Sequence, residues 1–158
     1  MSSVPEEILN PFVEGLKVTL KVQCFTDCTA ETPFPRDSSF QNNQQQVAAI
    51  MGLASSKFSG VVSLVFPITT FLFLMGRTMK QDLETITPEI ADAPGEILNI
   101  AVGQARRVLN EKGYDLQKAL PLVTSGKYLS LFHFTPDPAM IVPFKTEGGS
   151  FYIEIGIR

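Results

Sequence analysis

The sequence predicts an α+β fold of two fused similar halves, with two long helices packed on a largely antiparallel sheet. Three observations carry this expectation. Apolar residues recur at helical spacing near residues 12–20 and 97–109, strand-like runs occur as neighbouring pairs, and a short repeat relates the two halves.

Along the chain, Asn10-Pro11 reads as an N-cap followed by proline at the first helical position, and Phe12, Val13, Leu16 and Leu20 then mark a first helix to about residue 22 or slightly beyond. Residues 32–43, with Pro33, Pro35, Asp37, Ser38 and Ser39, read as a loop, and the polar tract 41–46 leads into a strand over 47–54. Ser55-Ser56 turns the chain into a β-branched run over 58–66, which Pro67 ends, and 68–79 changes to helical content. After a junction at 85–88, a second long helix runs from about Pro88 or Asp92 to Lys112, where Gly113 stops it. Strands are expected over 117–124, 129–134, 140–145 and 150–157, the last two joined as a hairpin by Glu147-Gly148-Gly149.

The repeat supports two halves. Glu7-Ile8-Leu9-Asn10 recurs as Glu96-Ile97-Leu98-Asn99, and Val13 and Leu20 align with Val102 and Leu109 at the same offset. Each long helix is followed, at a distance, by a strand hairpin, 47–66 and 140–157.

Composition narrows the function classes. At 158 residues and 44% hydrophobic content the chain can bury one substantial core, so one domain over 1–158 is expected. A net charge of -3 and no Lys/Arg run give no field for nucleic acid or anionic lipid. Cys24 and Cys28 with a single His cannot complete a four-ligand zinc site, so they read as reduced, packed thiols. Glu6 and Glu7 stand where a secretory signal carries positive charge, which predicts a cytoplasmic protein. The hydropathy peak over 58–75 is interrupted by Ser59, Gly60, Ser63, Pro67, Thr69 and Thr70, so it reads as a buried strand and helix, not a membrane span. Phe66, Phe71 and Phe73 belong to a core, and His133, between Phe132 and Phe134, has no Ser or Cys partner that would make it a catalyst.

Chemistry concentrates on the second long helix. At roughly 100° per residue, Ile97, Leu98, Ala101, Val102, Ala105, Val108 and Leu109 share one half of it, and Glu96, Asn99, Gly103, Arg107 and Asn110 the other. Glu96 and Asn99 are therefore neighbours on an outward face. Gly103 costs about 1 kcal/mol of helix stability relative to Ala, and its missing side chain leaves a flat surface for the backbone of a protein partner.

The run Asp92-Ala93-Pro94-Gly95-Glu96-Ile97-Leu98-Asn99, with the later Gly103, resembles the D-A-x-G-E-x-x-N helix of the CheC/CheX/FliY chemotaxis phosphatases, the CheX type above all. Asn10-Pro11-Phe12, Leu120-Pro121, Ser125-Gly126, Ile141-Val142-Pro143-Phe144 and Phe151-Tyr152-Ile153-Glu154 are similar to CheX segments as well. The resemblance implies a CheC-like fold and removal of phosphate from the aspartyl phosphate of a CheY-like receiver domain. Asn99 would orient the attacking water, Glu96 would pair with the receiver's active-site lysine, and Gly95, Ile100 and Gly103 would line the docking face. It implies no cofactor bound by this chain, Mg²⁺ carried by the receiver, and a homodimer joined through its sheets. An acyl phosphate is already labile, so positioning and electrostatics can supply the acceleration.

Two features depart from the pattern. Pro94 either kinks a helix that began earlier, or sits in a first turn capped by Asp92 and brings Glu96 close to the helix start. Glu7 and Asn10 repeat the Glu/Asn pair and open a second site as in two-site members, against which Pro11 argues if Asn10 is an N-cap. The competing readings are a non-catalytic receiver-binding or switch-complex module using the same helix face, and a purely structural homodimer.

Overall fold

A computed structural model describes residues 4–37, 40, 44–126 and 138–158. The strand expected over 129–134, with His133, lies outside these residues, as do Ser38, Ser39 and most of the polar tract before β3.

The first helix, α1 (Glu6–Cys24), starts four residues before the expected cap. Pro5 supplies the extended entry residue at φ -60° and ψ 145°, and its carbonyl accepts from the N–H groups of Ile8 and Leu9 at 2.9 Å each. Burial explains the earlier start. Val4, Ile8 and Leu9 are all buried with Phe12, Val13, Leu16 and Leu20, so the first turn contributes core surface that a start at Pro11 would forfeit. Asn10 is thus not an N-cap. Pro11 lies inside the helix, where its missing N–H leaves one carbonyl of the first turns without its usual donor. The helix ends at Phe25, which takes the left-handed conformation at φ 51°.

Two short strands follow, β1 (Thr29–Ala30), in a stretch without strand pattern, and β2 (Phe34–Pro35), inside the loop expected over 32–43. Both pair with a strand more than a hundred residues away, and nothing local in two-residue segments announces that. Then come β3 (Gln46–Ala54) and β4 (Ser59–Pro67), paired antiparallel across the turn that the Ser55 hydroxyl closes by accepting from the N–H groups of Lys57 and Phe58 at 3.0 Å. Pro67 ends β4 and opens α2 (Ile68–Met79) directly.

The second long helix is α3 (Ala93–Glu111). Gly113, at φ 86°, turns the chain out of it, and Asn110 fixes the exit by accepting from Leu116 N–H at 2.6 Å and donating to Leu116 O at 3.3 Å. The strands β5 (Leu122–Gly126), β6 (Met140–Thr146) and β7 (Gly149–Ile157) complete the described chain, and Glu147-Gly148 is the two-residue turn of the β6–β7 hairpin. Strand β5 begins about five residues later than expected.

The strands form one antiparallel sheet in the order β1-β6-β7-β4-β3-β5, with β2 also on β6. The order is symmetric about the β7–β4 seam. A hairpin flanks the seam on each side, and the outermost strand on each side comes from the opposite half of the sequence.

Helices α1 and α3 lie side by side and antiparallel, since Tyr114 and Lys112 beyond the end of α3 reach Glu7 at the start of α1. They cover one face of the sheet, and the main core fills the space between, with Leu16, Leu20, Leu98, Leu109, Leu64, Phe66, Phe144 and Ile153 fully buried. The phenylalanines expected in a core are there: Phe66 and Phe71 are buried and in ring contact, and Phe73 packs at the edge. On the opposite face a smaller cluster of Ala48, Val65, Ile141 and Tyr152 is covered by Phe34 and Phe40. Beside it the Arg36 guanidinium donates to both carboxylate oxygens of fully buried Glu154 at 2.9 and 2.7 Å. Among the described residues, no helix is long and apolar enough to cross a membrane.

Candidate functional site

The start of α3 resolves the question posed by Pro94. Asp92 is the N-cap residue by position, at φ -91° and ψ -3°, although its side chain makes no capping hydrogen bond. Its carbonyl instead accepts from Gly95 N–H at 3.1 Å and Glu96 N–H at 3.2 Å. Pro94 is therefore in the first turn, where an N–H has no intrahelical acceptor to lose, and it introduces no kink. Glu96 follows at the end of that turn, where the positive end of the helix dipole favours a carboxylate.

Residues of α3 divide as the 3.6-residue period requires. Ile97, Leu98, Ala101, Val102, Ala105 and Leu109 are buried, while Glu96 and Asn99 are exposed one turn apart on the outer face. The side chains of Glu96 and Asn99 have no hydrogen-bond or ion-pair partner among the described residues. A carboxylate and a carboxamide are thus held in fixed relative positions by a rigid helix, with all their hydrogen-bonding capacity directed outward. Such a pair can accept from a cationic group and orient a water molecule on a second folded protein. The surface is open. The large groove near α2, about 790 Å³ and lined by Leu72, Phe73, Arg77, Lys80 and Leu83 among others, is elsewhere on the molecule.

The other residues expected on the docking face separate. Gly103 is open: a Cβ placed there would meet only the Arg106 guanidinium at 3.7 Å. Ile100 is 37% exposed next to Asn99. Gly95 is buried on the inner side of the first turn, where a Cβ would stand 3.2 Å from both Pro121 and Val123. There it packs α3 closely on the segment leading into β5.

Glu7 and Asn10 both lie on α1, so the sequence argument that Pro11 separates them fails. Their surroundings nevertheless differ from those of Glu96 and Asn99. The Tyr114 hydroxyl donates to Glu7 at 3.0 Å, and the Lys112 ammonium stands 3.8 Å from the same carboxylate. That hydrogen bond, together with the negative charge beside it, raises the Tyr114 pKa. Glu7 thereby fastens the α1 start to the α3 exit.

Cys24 and Cys28 are unbridged, the first buried and the second half-buried. Among the described residues no three His, Cys, Asp or Glu side chains converge into a group able to hold a metal ion.

The antiparallel sheet with its helices matches the fold of solved CheC-like and CheX proteins. The CheC-like superfamily protein of Shewanella sp. PV-4 superposes with a TM-score of 0.87 at 28% identity, over 98% of this chain and 99% of that one. The chemotaxis protein CheX of Vibrio vulnificus gives the same TM-score and identity over 96% and 99% of the two chains. The family model described as chemotaxis phosphatase CheX matches residues 47–145, which include Glu96 and Asn99, and the chain belongs to that family. The Borrelia burgdorferi CheX in a CheX–CheY–BeF3–Mg²⁺ complex shares the fold, with a TM-score of 0.78 at 22% identity over 95% of this chain and 97% of that one. No curated protein sequence matches the chain.

Proposed function

We propose that this member of the CheX family dephosphorylates the aspartyl phosphate of a CheY-like receiver domain through the α3 surface. The observation that carries the reading is the disposition of Glu96 and Asn99: exposed, adjacent, rigidly mounted, and without a described partner in their own chain. That a CheX of the same fold has been crystallised with CheY supports a receiver as the occupant.

In the reaction, the Asn99 carboxamide orients a water molecule towards phosphorus. The water oxygen forms the new P–O bond, the acyl P–O bond breaks, and the aspartate carboxylate leaves with release of inorganic phosphate. Glu96 accepts from the receiver's active-site lysine and sets the register that puts Asn99 beside the phosphoryl group. Mg²⁺ is carried by the receiver, where it offsets phosphoryl charge, and this chain binds no cofactor of its own. We assign catalysis to the α3 pair alone, because Glu7 is engaged by Tyr114 and Lys112 while Glu96 is not.

The same reading takes residues 1–158 as one CheX-like domain of two related halves, working in the cytoplasm as a homodimer. The two halves are supported by six buried positions that recur at the repeat offset: Ile8 and Ile97, Leu9 and Leu98, Phe12 and Ala101, Val13 and Val102, Leu16 and Ala105, Leu20 and Leu109. Dimerisation through sheets is supported by β5, which among the described residues pairs only with β3 and carries exposed Leu122, preceded by exposed Leu120.

The test is the lifetime of a phosphorylated cognate receiver with Mg²⁺, alone, with this protein, and with its Asn99→Ala variant. Acceleration by the native chain and none by the variant is the expected result. Binding without acceleration by the native chain would leave a docking module and no enzyme.

A further inference from the structure

Large apolar side chains are left exposed at six described positions, and four of them gather in one region: Val18 (48%), Val22 (62%), Phe25 (59%) and Ile100 (37%). Val18, Val22 and Phe25 are spaced to share one stripe of α1 and its cap. The antiparallel packing of the helices sets that stripe beside the first half of α3. Gly15 meets α3 at Ala101 and Gln104, so the turns of α1 beyond Gly15 run alongside the residues of α3 before Ala101, which include Glu96, Asn99 and Ile100. Ile100 lies on the α1-facing side of Asn99 and joins the stripe to the polar pair.

Phe25 adds an independent sign. A helix that ends in a left-handed residue ordinarily has Gly or Asn there, yet this one holds a phenylalanine at φ 51° that is also mostly exposed. Neither the backbone nor the core accounts for an aromatic ring at this position. Four partly exposed side chains fall well short of the ~800 Å² each partner buries in a stable interface. The patch therefore suits part of a larger contact completed by the polar face of α3, and is too small to be a dimer seam by itself.

Resting on the reading that a receiver docks on α3, we propose that Val18, Val22 and Phe25 of α1, with Ile100, form the apolar anchor that binds the receiver domain next to the Glu96–Asn99 pair. Affinity then comes chiefly from α1, and chemistry from α3.

The experiment measures KM and kcat for the phosphorylated cognate receiver with native protein, the Val18→Gln/Val22→Gln variant, Phe25→Asn and Asn99→Ala, with sedimentation of each. Glutamine keeps the helix, and asparagine suits the left-handed cap, so folding is preserved. The double variant is expected to raise KM about tenfold with kcat changed less than twofold, and Phe25→Asn to raise KM in the same sense. Asn99→Ala should lower kcat instead. Unchanged KM in both α1 variants, with native turnover intact, overturns the anchor while leaving the phosphatase reading standing. A changed oligomeric state with unchanged KM overturns it in favour of a second copy of this chain. Native protein that neither binds nor dephosphorylates the receiver overturns both.

Discussion

Gly15 of α1 and Ala101 of α3 approach so closely that a Cβ on Gly15 would lie 2.6 Å from the Ala101 carbonyl oxygen, with the Gln104 Cβ at 3.2 Å. The obstruction is backbone, which cannot swing aside as a side-chain tip can. Gly15→Ala is expected to force the helices apart and to destabilise the fold by about 1–3 kcal/mol, read as a lower denaturant midpoint. Because Asn99 is mounted on the displaced helix, phosphatase activity should fall as well. An unchanged midpoint would show that the helix pair relaxes freely.

Asn99 is exposed and makes no contact that the fold depends on. Asn99→Ala should therefore leave the melting temperature within about 2 °C, while the proposed role in orienting water predicts that it lowers receiver dephosphorylation by about 100-fold or more. Glu96→Gln should act differently, by weakening receiver binding. Receiver dephosphorylation and thermal melts on the same samples check both.

The Arg36–Glu154 pair places a fully buried carboxylate under a mostly buried guanidinium on the far face of the sheet. Arg36→Ala removes both charge-assisted hydrogen bonds that the guanidinium donates to the buried carboxylate and is expected to cost about 3 kcal/mol, whereas replacing both partners by apolar residues of similar volume should cost much less. A double-mutant cycle by urea unfolding distinguishes these outcomes. Equal losses in Arg36→Ala and the double apolar variant would contradict the account.

Burial pushes the Cys28 thiol up to about 11, with Lys17 opposing the rise and Asp27 and Glu14 adding to it. At pH 8 its thiolate is about 100-fold scarcer than for a thiol titrating at 9.0, so alkylation mapped to Cys28 should be correspondingly slow and rise with pH. The stability consequence has a definite sign. Below pH 9 both states hold the proton; between 9 and 11 the unfolded chain releases it first, so stability is lost as pH rises through that window. Cys28→Ser should flatten this decline in pH-dependent unfolding.

Much of this structure is legible where sequence pattern and burial agree. The β4-to-α2 change at Pro67 and the α3 stop at Gly113 are visible because Pro and Gly act on the local backbone whatever surrounds them. The polar face of α3 is visible because helical period alone separates Glu96 and Asn99 from the core. Asn10-Pro11 misled for the complementary reason: a good local cap signal yields to the burial of Ile8 and Leu9, a tertiary gain the local pattern does not contain. β1 and β2 depend on a remote partner strand. The packing of Gly95 on Pro121 and Val123 is not legible, because those residues lie across a connection whose path the sequence does not reveal.

The order of the strands also governs when the molecule can become itself. Of the described strands β7 is made last, yet it occupies the middle of the sheet, between β6 and β4, and the first-made strand, β1, finds its partner only in β6. Until β6 and β7 are made, the nascent chain can pair β3 only with β4 and β5, and the other edge of β4 stays open. Such pairing between remote segments makes closure slow. Chaperone demand should accordingly peak just before β7 leaves the ribosome, because the open edge of β4 is covered only when that strand has been inserted.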